Sequence, residues 1–66
     1  MPDTFLRLPE VKALTGLSRS TIYAQMAGGA FPLCIHIGAR SVAWLQSEIL
    51  VWQEQRIEQG RRTRVA

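Results

Sequence analysis

The stretch PEVKALTGLSRSTIYAQMAGG, from Pro9 to Gly29, decides the fold of this chain. It predicts one helix over residues 9–15 and a second over residues 19–27, joined by a tight turn. The paired glycines that end the stretch predict where the second helix stops. Two short helices joined by a turn that contains glycine are the pattern of a helix-turn-helix unit.

The turn between the two helices contains residues with specific conformational roles. Gly16 can adopt the left-handed conformation without strain, which predicts that the first helix stops there. Ser18 is suited to cap the second helix, because its hydroxyl can accept a hydrogen bond from a backbone N–H two or three residues later. Leu17 and Ile22 occupy the two positions of a hydrophobic staple, which would fix the angle at which the second helix begins.

The outward side of the second helix is open to two interpretations. At about 100° per residue, Ile22 and Met26 face the interior. The remaining side chains are polar, small or amphipathic: Arg19, Ser20, Thr21, Tyr23, Ala24 and Ala27. A helix with such a first turn suits the major groove of DNA. The alternative is an ordinary two-helix corner with a solvated arginine, and the corner alone favours neither.

After the second helix, the sequence changes to an alternating pattern. Residues 31–37 predict a strand over 33–37, which pairs with a second strand over 42–44 to form a β-hairpin with Arg40 near its tip. We expect this hairpin to pack on the helices through Ile35, Ile37, Val42 and Trp44. A hairpin directly after a helix-turn-helix unit is a wing, from which an arginine reaches a phosphate or the minor groove. The alternative is that Arg40 is a solvated turn residue.

Residues 45–59 predict a third helix, because they include no glycine or proline and many strong helix formers. Its predicted core stripe is Leu45, Ile49 and Trp52, and Gly60 is the predicted stop. A second apolar flank lies off that stripe and consists of Leu50, Val51 and Ile57. On so small a domain, such a flank indicates either a surface for self-association or a composition without functional meaning.

Charge is distributed unevenly along the chain. The 66 residues have a formal charge of +3, but the five positive and five negative side chains of residues 1–60 cancel. The excess lies in Arg61, Arg62 and Arg64, which predicts one domain over residues 1–60 and a basic flexible tail over 61–66. Such a tail either adds phosphate contacts or is merely solvated, and the sequence favours neither.

The chain lacks the sets of groups that catalysis and metal binding require. It has one histidine, one cysteine and no Ser/His/Asp set, so we predict no enzyme activity and no cofactor. Cys34 and His36 offer two ligands where zinc needs three or four, so we predict no metal site. The single cysteine, with no signal peptide and no membrane-spanning run, predicts a reducing, cytoplasmic location and no membrane partner.

Several motifs together resemble the AlpA-type prophage regulators, small relatives of phage excisionases and of the MerR DNA-binding domain. The resemblance covers Arg7 to Arg56. Its motifs are L-P-E-V from Leu8, T-G-L-S-R-S-T-I-Y from Thr15, F-P from Phe31, G-A-R from Gly38, Trp44, and S-E-I-x-x-W from Ser47. It implies a mostly α-helical fold with a small β-hairpin, a winged helix-turn-helix, that binds double-stranded DNA without a cofactor. The implied function is regulation of transcription in a phage or mobile element, or an excisionase-type role in recombination directionality beside an integrase.

The same resemblance implies which residues contact DNA. The expected contacts are Arg19, Ser20, Thr21, Tyr23 and Arg40. Apart from the resemblance, the candidates for further contacts to the DNA backbone are Ser18, His36, Ser41, Arg61 and Arg62. The family commonly has basic residues where this chain has Ala24, Ala30 and Leu33. This loss of charge predicts a homo-oligomer or cooperative binding on tandem sites, and it keeps open the alternative of a protein-interaction module with weak or lost DNA affinity.

Overall fold

A computed structural model describes residues 2–63, which form three helices and a three-stranded antiparallel sheet. The elements in chain order are β1 (Phe5–Leu6), α1 (Leu8–Thr15), α2 (Arg19–Ala27), β2 (Ile35–Gly38), β3 (Ser41–Leu45) and α3 (Gln46–Thr63). This arrangement confirms the predicted fold, a mostly α-helical winged helix-turn-helix. None of the helices within residues 2–63 is both long enough and apolar enough to cross a membrane.

The corner between α1 and α2 has the predicted caps. Gly16 has φ 73° and donates its N–H to the carbonyl of Lys12 over 2.8 Å, so it ends α1 in the left-handed conformation. Ser18 accepts the backbone N–H of Thr21 over 3.2 Å and caps α2. Ile22 is buried in the hydrophobic core and Leu17, which is half-buried, packs against that core, as the staple requires. These local contacts fix where α2 begins.

The segment before α1 is part of the sheet, although the sequence shows no strand pattern there. β1 pairs antiparallel with β3, and Leu6 lies opposite Trp44. Just before β1, the carbonyl of Thr4 accepts the backbone N–H of Gln46, and the carboxylate of Asp3 accepts hydrogen bonds from the backbone N–H and the hydroxyl of Ser47. A strand of two residues is too short to leave an alternating pattern, which is why the sequence does not predict it.

The hairpin faces the helices with a different set of side chains from the predicted one. β2 starts at Ile35 rather than at residue 33, and the side chains of Ile35 and Ile37 are 38% and 40% exposed. The register pairs Ile35 with Ala43 and His36 with Val42, so Ile35 lies on the face opposite to Trp44. The inward prediction is therefore wrong for Ile35 and Ile37, and correct for Trp44, which is buried, and for Val42, which is half-buried against the core.

The helix α3 begins at Gln46, since Leu45 still belongs to β3, and it continues through Gly60 to Thr63. The predicted stop at Gly60 is therefore wrong. An ion pair of 2.5 Å between Glu58 and Arg62, one turn apart, spans the glycine and supports the last turn. Arg61 and Arg62 are thus helical, while residues 64–66 of the predicted tail lie outside the described residues. The division of the chain at residue 60 stays a prediction.

The core lies where α1, α2 and α3 meet the inner face of the sheet. Its buried members are Leu6, Val11, Ile22, Phe31, Trp44 and Ile49. Two indole N–H groups bind backbone carbonyls beside it: Trp44 Nε1 donates to Pro32 over 3.1 Å and Trp52 Nε1 donates to Ala30 over 2.8 Å. These bonds hold the loop between α2 and β2 against the core and so set the position of the hairpin.

Candidate nucleic-acid interface

The first turn of α2 begins with three hydroxyl groups that form one hydrogen-bonded cluster. Ser18 donates its hydroxyl proton to Thr21 Oγ1 over 2.9 Å, and Ser20 Oγ lies 3.3 Å from Ser18 Oγ. Either hydroxyl can be the donor in the second contact. The cluster lies at the exposed start of α2, where its hydroxyls can bind an outside oxygen, such as one on a phosphate.

Arg19 lies beside this cluster, on the exposed side of α2. Its guanidinium carbon is 5.5 Å from the centre of the Tyr23 ring, one helical turn later, which is a cation–π contact. Within residues 2–63 the guanidinium has no hydrogen-bond acceptor and no carboxylate partner. Its five N–H donors are therefore directed to solvent, in the planar arrangement that binds a phosphate or a guanine edge in bidentate fashion.

The rest of the outer face of α2 is small and unobstructed. Ser20, Ala24 and Ala27 are exposed, whereas Ile22 is buried and Met26 packs against the core. This burial pattern agrees with the face that the helical period predicts. Small side chains on the outer face leave room for another surface to approach the helix closely.

The hairpin presents the predicted arginine at its tip. Arg40 is exposed in the two-residue turn between β2 and β3, and within residues 2–63 it has no carboxylate partner. His36 is exposed on β2, opposite Val42, and Ser41 is half-buried at the start of β3. These three side chains belong to the wing, separate from the cluster on α2.

Arg61 and Arg62 lie apart from both groups, in the last turns of α3. The guanidinium of Arg62 is paired with Glu58, which satisfies part of its charge. The structure therefore distributes the predicted site residues over three places: the first turns of α2, the hairpin and the end of α3.

The distribution of acidic residues is a signal that net charge conceals. Residues 11–47 contain no aspartate or glutamate, and they include Lys12, Arg19 and Arg40. This stretch runs through most of α1, all of α2 and the whole hairpin, and the side chain of Lys12 is exposed on α1. The positions of the acidic residues, rather than the net charge of the whole chain, are thus the signal that points to Lys12 as a further site residue.

A second feature that sequence reasoning missed is the packing of Tyr23. Its ring meets the buried Trp44 ring edge to face, with the ring centres 6.3 Å apart and the planes at 71°. The two residues are far apart in sequence, so only their positions on α2 and β3 bring them together. Tyr23 thus contacts both a buried core residue, Trp44, and the exposed Arg19.

The helix-turn-helix corner, the hairpin with its exposed arginine and the closing helix define a winged helix-turn-helix protein. The chain belongs to the AlpA family: the family described as prophage CP4-57 regulatory protein (AlpA) matches residues 4–57. This confirms the resemblance that the sequence motifs indicate.

Two proteins of known source are similar in sequence to this chain. An uncharacterized protein, ORF88, of Enterobacteria phage P4 is 51% identical over 55 residues, which cover 83% of this chain and 62% of that protein. A DNA-binding transcriptional activator, AlpA, of Escherichia coli strain K12 is 39% identical over 57 residues, which cover 77% of this chain and 81% of that protein. The chain thus spans less than two thirds of the length of the phage relative.

Proposed function

We propose that this protein is a sequence-specific DNA-binding regulator of transcription from a phage or other mobile element. The observation that carries the proposal is the Arg19 guanidinium, which is exposed at the start of a helix and has no carboxylate or hydrogen-bond acceptor within residues 2–63. Its relative in Escherichia coli, named as a DNA-binding transcriptional activator, supports the same function. A regulator of this kind acts in the cytoplasm, where its DNA lies, and is not an enzyme.

In this proposal α2 enters the major groove. Arg19 and Ser20 contact base edges or phosphates, and the hydroxyl of Thr21 binds a phosphate oxygen. Ser18 holds the first turn in place through its cap, with its oxygen near the backbone of the duplex. Tyr23 completes the surface at the next turn.

The hairpin acts as the wing. Arg40 at its tip reaches a phosphate or enters a narrow minor groove, which attracts arginine by its negative potential. His36 and Ser41, on the strands beside the turn, and Lys12 on α1 supply further backbone contacts. Arg61 and Arg62 add contacts only where the DNA extends as far as the end of α3.

The small number of free basic residues has a consequence for stoichiometry. If about three positive charges each neutralise one phosphate, the logarithm of affinity falls against the logarithm of salt with a slope of about −3 per molecule. This electrostatic contribution to DNA affinity is small for a single domain. We therefore propose that two or more copies bind tandem sites or associate. An excisionase-type role beside an integrase is the second form of this function, since it would use the same surface on differently placed sites.

A module for binding another protein is the alternative from a different class. The observation that favours it is the apolar flank of α3, where Leu50, Val51 and Ile57 are each about half exposed. A surface of this kind is available for a partner or a second copy. The alternative becomes the better explanation if the domain folds and yet binds no DNA.

The experiment is a titration of labelled duplexes, taken from around the protein's own gene, with a scrambled duplex of equal length as control. We expect the Arg19→Ala and Arg40→Ala variants to bind more weakly, and the charge-matched Arg56→Ala variant to bind like the original protein, since Arg56 lies against Trp52. Equal binding of scrambled and genomic duplexes would contradict sequence specificity. Undiminished binding by both Arg19→Ala and Arg40→Ala would contradict the assigned site.

The second experiment compares one site with two. We expect a steeper salt dependence and tighter binding per molecule on a duplex with tandem sites than on a duplex with one. Equal slopes, together with tight binding to the single site, would contradict the proposed use of several copies.

A further inference from the structure

Tyr23 has a place in the structure that differs from that of a residue directed at a ligand. Its ring contacts both the indole of Trp44, with ring centres 6.3 Å apart, and the guanidinium of Arg19, whose carbon lies 5.5 Å from the ring centre. The residue is 36% exposed. Two neighbours therefore occupy part of the ring surface that a base or a thymine methyl group would otherwise contact.

Trp44, on which the Tyr23 ring packs, is held firmly in the core. Trp44 is fully buried in the middle strand of the sheet, and its indole N–H is bound to the carbonyl of Pro32 over 3.1 Å. An aromatic ring packed edge to face on such a residue has a restricted orientation. The position of the Tyr23 ring is thus set by the sheet as well as by α2.

Arg19, the other neighbour of the ring, has a flexible side chain. A free arginine side chain has many rotamers, and it loses that freedom when it binds a fixed partner. A guanidinium that already lies over an aromatic ring loses less freedom on binding, because part of the ordering has taken place in the unbound protein. Its N–H donors remain unpaired within residues 2–63, so the contact with the ring costs it none of its donors.

We infer that Tyr23 is a positioning residue: its ring, braced on Trp44, holds the Arg19 guanidinium at the DNA-facing surface of α2. The contribution of Tyr23 to affinity then passes through Arg19, and its ring rather than its hydroxyl is what binding requires. This inference rests on the proposed function and deepens it, because it replaces a predicted direct contact by an indirect one.

The test is a double-mutant cycle in which the dissociation constant is measured on the duplex that the original protein binds best. The variants are Tyr23→Phe, Tyr23→Leu, Arg19→Ala and the double variant with Tyr23→Leu and Arg19→Ala. We expect Tyr23→Phe to bind within about twofold of the original protein, and Tyr23→Leu about fivefold more weakly, the range of one cation–π contact with partial preorganisation. In the Arg19→Ala background, Tyr23→Leu is expected to weaken binding by less than about twofold.

A spectroscopic measurement separates positioning from a merely structural role and needs no DNA. The ring shifts the resonances of the Arg19 side-chain protons, and we expect these shifts to be kept in Tyr23→Phe and lost in Tyr23→Leu. Thermal unfolding of each variant shows which of them are folded. If Tyr23→Leu does not fold, Tyr23→Met takes its place in the cycle, since methionine fills irregular gaps in packing.

Three outcomes would overturn the inference. Binding by Tyr23→Phe as weak as that of Tyr23→Leu would make the hydroxyl a direct contact. An equal loss from Tyr23→Leu with and without Arg19 would make the two residues independent. Unshifted Arg19 resonances in the original protein would show that the side chain does not rest on the ring. If the original protein binds no duplex at all, the proposed function fails, and this inference fails with it; the first three outcomes overturn the inference alone.

Discussion

Two arginine–aromatic pairs in this protein have nearly the same geometry. The first pair lies on α2, and the second lies on α3, near the end of α2. Arg19 lies 5.5 Å from the centre of the Tyr23 ring, and Arg56 lies 5.2 Å from the centre of the Trp52 ring. Both arginines are exposed. By the cation–π contact alone, the two pairs are equivalent.

Their remaining contacts differ. A guanidinium nitrogen of Arg56 lies 3.3 Å from the carbonyl of Ala30 and 3.4 Å from Gln25 Oε1, so it ties α3 to the end of α2 and the loop that follows. The Arg19 guanidinium has no such acceptor within residues 2–63. A charged side chain is best assigned by where its donors go: one guanidinium nitrogen of Arg56 donates to acceptors within the protein, whereas no donor of Arg19 does so within residues 2–63.

The largest expected effect comes from removing the ring of the structural pair. Trp52 packs on Phe31 with ring centres 4.8 Å apart, besides holding Arg56 and the carbonyl of Ala30. We expect Trp52→Ala to lower the free energy of unfolding by about 3 kcal/mol, which is most of the stability that a core of this size supplies. Urea unfolding followed by circular dichroism measures this. Trp52→Phe is the control. A loss below about 1 kcal/mol from Trp52→Ala would show that the contacts of the Trp52 ring contribute little to stability.

The next effect separates the two arginines by DNA affinity. Arg19→Ala and Arg56→Ala each remove one positive charge, so a difference between them cannot come from net charge. We expect Arg19→Ala to weaken binding about tenfold or more and to lower the salt slope by about 1, and Arg56→Ala to change neither when only folded protein is counted. Fluorescence anisotropy at several salt concentrations measures both quantities. An equal loss in the two variants would remove the distinction between the pairs.

The same two variants are expected to differ in stability in the opposite sense. Arg56→Ala removes two hydrogen bonds at the surface as well as the cation–π contact, and we expect it to lower the free energy of unfolding by about 1 kcal/mol. Arg19→Ala removes one exposed contact and is expected to stay within about 0.5 kcal/mol of the original protein. Chemical unfolding of the two variants side by side is the measurement. The reverse order of stabilities would contradict the assignment of Arg56 as the structural arginine.

The smallest effect concerns the start of α3, the helix that holds Trp52 and Arg56. The hydroxyl of Ser47 lowers the pKa of Asp3 below 3.8, with help from the backbone N–H groups of Ser47 and Thr4. A carboxyl whose pKa is lowered by folding stabilises the protein above its unfolded pKa, and this stabilisation is lost as the pH falls through the folded value. We therefore expect Asp3→Asn to be less stable than the original protein at pH 7.

At pH values well below 3.8 the two proteins should converge, because Asp3 is then neutral in both states. Thermal unfolding at neutral and acidic pH checks this, and Glu48→Gln, one residue beyond Ser47, is the control for a change of charge near the same helix start. A constant difference between Asp3→Asn and the original protein at every pH would mean that the carboxylate charge has no part in the contact with Ser47.

Much of the helix-turn-helix unit could be predicted from local chemistry. A left-handed glycine and a serine cap act through their own backbone and the next few residues, so Gly16 and Ser18 were identifiable without knowledge of the rest of the chain. Arg40 at the hairpin tip was predictable for the same reason, because turn residues lie between two short apolar runs. The family membership, too, follows from the order of such motifs.

The sequence by itself thus determined the three helices, the corner, the hairpin and the exposure of Arg19 and Arg40, all of which depend on neighbours within a few residues. Tertiary structure alone decided the pairing of β1 with β3 and the face that the hairpin turns to the helices. It also decided the contact of Tyr23 with Trp44, and hence the support beneath Arg19. The physical reason is that these features depend on which residues meet across the core. A periodic pattern shows which face of a segment is apolar, but not which other segment packs against that face.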